Sequence, residues 1–88
     1  MNVLFEKRFL KDIEAIDNKH LKQQIENIIA QVEKAEQLNG LPNLKKMKGH
    51  KAAYRIRIGS FRLGFFYENH TVILSRLLSR KDIYKYFP

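Results

Sequence analysis

Cysteine is absent from this chain of 88 residues, so no disulfide staples the fold and no thiolate can hold a metal. The absence fits a reducing cytoplasm, which is the expected location. No long apolar run occurs either. The opening MNVLFEKRFLKDIEAI carries charges throughout, unlike a signal peptide or a membrane span. Repeats, linkers and low-complexity segments are missing too, which predicts one domain over residues 1–88 with one modest core. Acidic residues are scarce. Nine Asp and Glu stand against 17 Lys and Arg, and the formal charge of +8 points to a polyanionic partner: nucleic acid, an anionic membrane or an acidic protein. The membrane fits worst, because no segment joins a basic face to a bulky apolar face of the interfacial kind.

What is present reads first as an α+β pattern. Val3-Leu4-Phe5 is a short apolar run that predicts an opening strand. Phe9, Ile13 and Ile16 recur at helical spacing, and Asp17-Asn18 can cap the longer helix that follows. Leu21, Ile25, Ile28, Val32 and Ala35, widened by Ile29, mark its apolar face, so the two helices form a hairpin laid on one face of a sheet. Asn39-Gly40-Leu41-Pro42 is expected to end the second helix. Asn43 to Ala53 reads as a basic loop, pinned by Leu44 and Met47, with Lys45, Lys46, Lys48 and Lys51 facing water. Closely spaced strands follow. The expected fold is strand–helix–helix–strand–strand–strand on a mainly antiparallel sheet, with room for a helical turn at the C-terminus. Its expected core is Phe5, Phe9, Ile13, Ile25, Ile28, Val32, Ile56, Leu63, Phe65 and Ile73.

The chain is organised around Tyr54 to Tyr84. Tyr54-Arg55-Ile56-Arg57-Ile58 alternates apolar and cationic residues with the period of a strand. Gly59-Ser60 is a two-residue hairpin turn, since Gly accepts the positive φ that such turns demand. The returning strand then sets Ile58 opposite Phe61, Arg57 opposite Arg62, Ile56 opposite Leu63 and Arg55 opposite Gly64. Like charges facing each other across a ladder cost roughly 0.2–1 kcal/mol per pair. Two readings compete: a solvated basic face, or a cluster that awaits an anion, since the planar fork of Arg suits phosphate. Gly64 leaves room for a ligand beside Arg55, or marks a bulge. In the last hairpin, a turn at Asn69-His70 with strict alternation puts Arg76 in the core. A three-residue loop, Glu68-Asn69-His70, puts it opposite Arg62, and is preferred because an unpaired buried guanidinium is costly.

At this point the residues resemble the RelE/ParE superfamily of type II toxins. The likeness runs over nearly the whole chain and rests on the order of short strings: a Phe-rich start, Leu-Lys-Lys-Met-Lys-Gly, Tyr-Arg-Ile-Arg-Ile-Gly, Phe-Arg-Leu-Gly, and the ending Ser-Arg-Lys-Asp-Ile-Tyr, which is closer to the RelE branch. The resemblance implies a ribosome-dependent endoribonuclease that cuts messenger RNA in the A site without a metal or small-molecule cofactor. Its implied partners are an acidic cognate antitoxin, the ribosome and messenger RNA. It also implies that Arg57, Arg62, Arg80 and Tyr84 act on the scissile phosphate. Arg55, Arg76, Lys45, Lys46, Lys48 and Lys81 would bind RNA phosphates. Ser79 stands where many relatives carry a histidine.

The chemistry needs a proton acceptor for the ribose 2′-OH and a donor for the leaving 5′-oxygen, and arginine supplies neither at neutral pH. Tyr84, His50, Lys48 and Lys81 are the candidates. Two alternatives stand beside the nuclease: a ParE-type inhibitor of DNA gyrase that cuts nothing, and a non-catalytic basic domain that binds RNA or the ribosome. Arg80 and Tyr84 have no evident work in a gyrase binder.

Overall fold

Five strands make one mixed sheet in the order β1-β5-β4-β3-β2 in the computed structural model, which describes all residues 1–88. β1 (Asn2–Phe5) leads into α1 (Lys7–Glu14) and α2 (Lys19–Lys34), and a 3-10 turn over Leu38–Gly40 follows. Then come β2 (Leu44–Lys46), β3 (Ala53–Ile58), β4 (Phe61–Glu68), β5 (Thr71–Ser79) and a last short helix, α3 (Ile83–Tyr86). The α+β expectation holds. The helix pair, the hairpin over Gly59-Ser60 and the C-terminal turn are all present. β1 runs parallel to β5 at one edge, and every other pairing is antiparallel.

Local chemistry explains the start of α2. Asn18 caps α2 as expected, its Oδ1 accepting the Leu21 N–H at 3.0 Å. The stripe on α2 buries Leu21, Ile25 and Val32, while Ile28 and Ile29 are half-buried against the same core. Together with Phe9 of α1 they meet Ile56, Ile58, Leu63, Phe65, Val72, Leu74 and Leu77 from three strands. These sheet residues share a face because strand side chains alternate. The Tyr54 and Phe65 rings stack across the β3–β4 ladder with centroids 5.7 Å apart. A second, smaller cluster of Met47, Ala53, Ile83 and Phe87 fastens the C-terminus to the sheet.

Five expectations need correction. Phe5 is 48% exposed, and Ile73 is only partly buried and outside both clusters, so neither belongs to the core. α2 ends at Lys34, well before Gly40, where Ala35 takes an extended conformation. Leu44–Lys46, within the stretch read as loop, is a strand that pairs with β3 through Leu44–Ile56 and Lys45–Arg55. The last turn is two residues, Asn69 and His70, both at positive φ (49° and 60°). Arg76 accordingly stands opposite Gly64 rather than Arg62. A bulge resolves the register problem: the ladder slips by one between Gly64 and Phe65, leaving Ser75 unpaired, and its hydroxyl donates to the Ile73 carbonyl at 3.1 Å.

Candidate functional site

β3 and β4 hold the arginines. Arg57 faces Arg62 across the ladder and Arg55 faces Gly64, the register predicted from the two-residue turn. Both strands are interior to the sheet, so their side chains start from a rigid base. Arg62 is 8% exposed, and its Nη1 donates to the carbonyls of Gly59 and Phe61, each at 2.9 Å. Gly59, at φ 58°, makes the turn that offers the first of these. Arg80 arrives by backbone: its N–H donates to the Ser60 carbonyl at 3.0 Å, which carries the tail to the same turn.

Asn43 organises the other two arginines. Arg55 Nη1 donates to its carbonyl at 2.9 Å and Arg57 Nη2 to its Oδ1 at 3.2 Å. Asn43 adopts φ 58°, a left-handed conformation that Asn tolerates. Sequence reasoning places it only in a loop. The available signal was its position after Pro42, where Pro-Asn marks a turn ahead of the basic strand.

No carboxylate answers these cations. The molecule's one salt bridge joins Arg76 to Asp12 elsewhere on the sheet. Burial pulls the Arg62 pKa below the ordinary arginine value, and Arg55, Arg80 and Arg57 reinforce the effect, while Tyr84 acts the other way. Tyr84 comes from α3 and is exposed. The Arg55 guanidinium lowers its pKa most, helped by Lys45 and Arg62 and opposed by partial desolvation of the phenol. Arg55 and Tyr84 are close, yet the contact falls short of full hydrogen-bond geometry: Arg55 Nη1 serves Asn43, and its buried Nε has no partner. Cations that crowd one phenol favour its ionised form, which is the form that accepts a proton.

Beside the arginines lies an open groove of about 970 Å³, lined by Lys45, Lys46, Lys48, His50 and Lys51 together with Tyr84 and the Phe87-Pro88 end. The structure thus brings Arg55, Arg57, Arg62, Arg80, Tyr84 and Lys45 together and sets Lys46 and Lys48 next to them. Lys81 is exposed on the turn before α3 and does not line the groove. Arg76 is corrected: its Nε and Nη2 donate to Asp12 at 2.9 and 3.2 Å, so it braces β5 against α1 instead of meeting phosphate. Gly64 leaves no room for a ligand, because the Phe87 ring fills the space. Ser79, in place of a histidine, accepts the Asp82 N–H through its hydroxyl at 3.3 Å.

The chain thus joins a four-stranded antiparallel run and a parallel edge strand to two helices on one face and an arginine cluster with no paired carboxylate. Residues 3–84 match the family described as the ParE toxin of the type II toxin–antitoxin system parDE. Toxin RelE3 of Methanocaldococcus jannaschii is 42% identical over 89 residues, covering 100% of both chains. This chain therefore belongs to the RelE/ParE superfamily of type II toxins. Among solved structures, the RelB–RelE antitoxin–toxin complex from Methanococcus jannaschii matches with a TM-score of 0.82 and 39% identity, over 97% of this chain and 99% of that one. The YoeB dimer from Staphylococcus aureus, at 15% identity and a TM-score of 0.74 over 91% of this chain and 97% of that one, shares the fold. No helix is long and apolar enough to cross a membrane.

Proposed function

We propose that this protein, acting as one domain over residues 1–88, is a RelE-type messenger-RNA endonuclease that works on the ribosome and is silenced by an acidic antitoxin. One observation carries the reading: Arg55, Arg57, Arg80 and Tyr84 gather around Arg62, Arg55 also acts on Tyr84, and no carboxylate is paired with any of these arginines. Four unanswered cations repel one another, and that cost is recovered when a phosphate enters. Arg57, Arg62 and Arg80 then hold the scissile phosphate and stabilise the charge that builds on its oxygens. Tyr84, its pKa lowered by Arg55, takes the 2′-OH proton as the 2′-oxygen attacks phosphorus. The P–O bond to the 5′-oxygen breaks, leaving a 2′,3′-cyclic phosphate and a 5′-hydroxyl. His50 and Lys48 line the groove beside Tyr84 and are the candidates to protonate the leaving oxygen. Lys45 and Lys46 extend the same surface along the RNA backbone.

The net charge of +8 supports the partner reading, since an acidic segment that folds on this surface would neutralise it. Such complexes are known for the relatives that carry RelB. The test is induced expression followed by mapping of messenger-RNA 5′ ends, with single-turnover cleavage on programmed ribosomes. New 5′ ends that vanish with Arg62→Ala are expected. No cleavage, combined with stalled DNA gyrase, would transfer the protein to the ParE mode that its family description names.

A further inference from the structure

The short C-terminal helix cannot hold itself in place. α3 has four residues, too few for its own hydrogen bonds to fix an orientation. Two buried side chains hold it instead: Ile83 at its start and Phe87 just past its end, 0% and 4% exposed, while Tyr84 and Tyr86 between them are 57% and 60% exposed. Residues four apart lie on one side of a helical turn, so the pair fastens one side of α3 and turns the tyrosines outward. The Phe87 N–H closes the turn on the Ile83 carbonyl at 3.0 Å.

The Phe87 ring sits where Gly64 has no side chain. A Cβ at Gly64 would stand 2.7 Å from the ring's Cδ2 and 2.9 Å from Cε2 and Cγ. The ring also leans on Phe66, with centroids 5.2 Å apart and planes at 52°. Gly64 is the residue directly opposite Arg55 in the ladder. One rung of the sheet therefore holds both the socket that anchors α3 and the arginine whose charge acts most on Tyr84.

We propose that Phe87, seated in the notch at Gly64, is a positioning residue that sets the Tyr84 phenol against Arg55. The effect on cleavage rests on the reading of Tyr84 as proton acceptor; the placement of the phenol does not. A Phe87 that merely filled an apolar hole would contribute to stability and to nothing else.

The test uses the full chain with its tyrosines labelled at ¹³Cζ, the Tyr84 signal assigned through Tyr84→Phe, and each variant also followed by melting and single-turnover cleavage. Phe87→Ala empties the notch. Gly64→Ala fills it from the other side and expels the ring. Both should move the Tyr84 titration upward, toward ordinary tyrosine, and slow single-turnover cleavage at saturating substrate on the order of 10²-fold, the scale of a misplacement of about 1 Å. Phe87→Leu, which keeps the notch occupied, should restore most of both. Folding should survive, because none of residues 83–88 belongs to the 12-residue main core. If Phe87→Ala nonetheless melts early, Gly64→Ala and Phe87→Leu decide the matter. Folded variants in which Tyr84 titrates as in the parent would reduce Phe87 to packing. A parent that never cleaves RNA would sink the nuclease reading alone, since the titration still reports whether Phe87 places the phenol.

Discussion

Arg62 and Arg76 stand on adjacent strands, β4 and β5, and both are largely withdrawn from water, yet their surroundings are opposite. Arg76 meets Asp12 through two hydrogen bonds, and the same carboxylate accepts the Leu77 N–H at 2.9 Å, on the edge of β5 beyond the last rung of β1. Its pKa is raised: the hydrogen bond to Asp12 outweighs the opposing effect of burial. Arg62 has two backbone carbonyls, three neighbouring arginines and a lowered pKa. A cation answered inside the fold braces the fold. A cation left unanswered in a rigid cluster stays free to take an anion from outside, which is the role proposed for Arg62. The same division separates the helix-covered face, with its 12-residue core, from the face where four buried residues carry the tail past the arginines.

The comparison can be broken from either side. Phe65, 0% exposed and stacked on Tyr54, belongs to the bracing face. Phe65→Ala should cost about 3–5 kcal/mol in urea unfolding, as for other buried aromatic truncations. Melting like the parent would show that this face is not what holds the fold. Arg62→Ala should slow single-turnover cleavage by about 10²–10³, equivalent to roughly 2.7–4 kcal/mol in the barrier, with unfolding unchanged or later because a repulsive charge is gone. An equal fall in stability would make Arg62 a brace like Arg76.

Asp12→Asn should do the reverse. It leaves Arg76 without its anion and weakens the hold on Leu77, for a loss of about 1.5–3 kcal/mol in unfolding, the range for hydrogen bonds to charged groups. Cleavage by the folded fraction should not change. The smallest expected effect is a shift of pH profile. Tyr84 must be ionised to accept a proton, and its pKa is depressed, so the rate should rise with pH and level off below the range of free tyrosine. Arg55→Gln removes the main cause of that depression and should move the rise to higher pH. An unmoved profile would remove Tyr84 from the role of proton acceptor.

Much of this is local and therefore legible in the chain. Alternation over Tyr54–Ile58 and the Gly59-Ser60 turn set Arg57 against Arg62 and Arg55 against Gly64, because strand period and turn length decide register without help from distant residues. The α2 stripe and its Asn18 cap follow from helical spacing in the same way. The second hairpin shows where local rules stop. Its two-residue Asn69-His70 turn is local, but the bulge opposite Gly64 is not. Without that bulge the sequence favours a three-residue loop that the structure does not have, since a one-residue slip leaves no mark in the pattern of apolar residues.

The partners of the charged side chains are tertiary facts. Asp12 and Arg76 lie 64 residues apart, and only the packing of α1 along the open edge of β5 makes them a pair. Asn43 reaches Arg55 and Arg57 because β2 pairs beside β3, a strand too short and too basic to announce itself. The room beside Gly64, which the sequence suggested for a ligand, is taken by a phenylalanine 23 positions later. Sequence decides which residues carry charge and which face of a strand or helix each occupies, since both are set within a few bonds. Whether a given cation becomes a brace or a clamp depends on what the rest of the chain brings within hydrogen-bond reach, and that is settled only when the sheet closes and the tail docks.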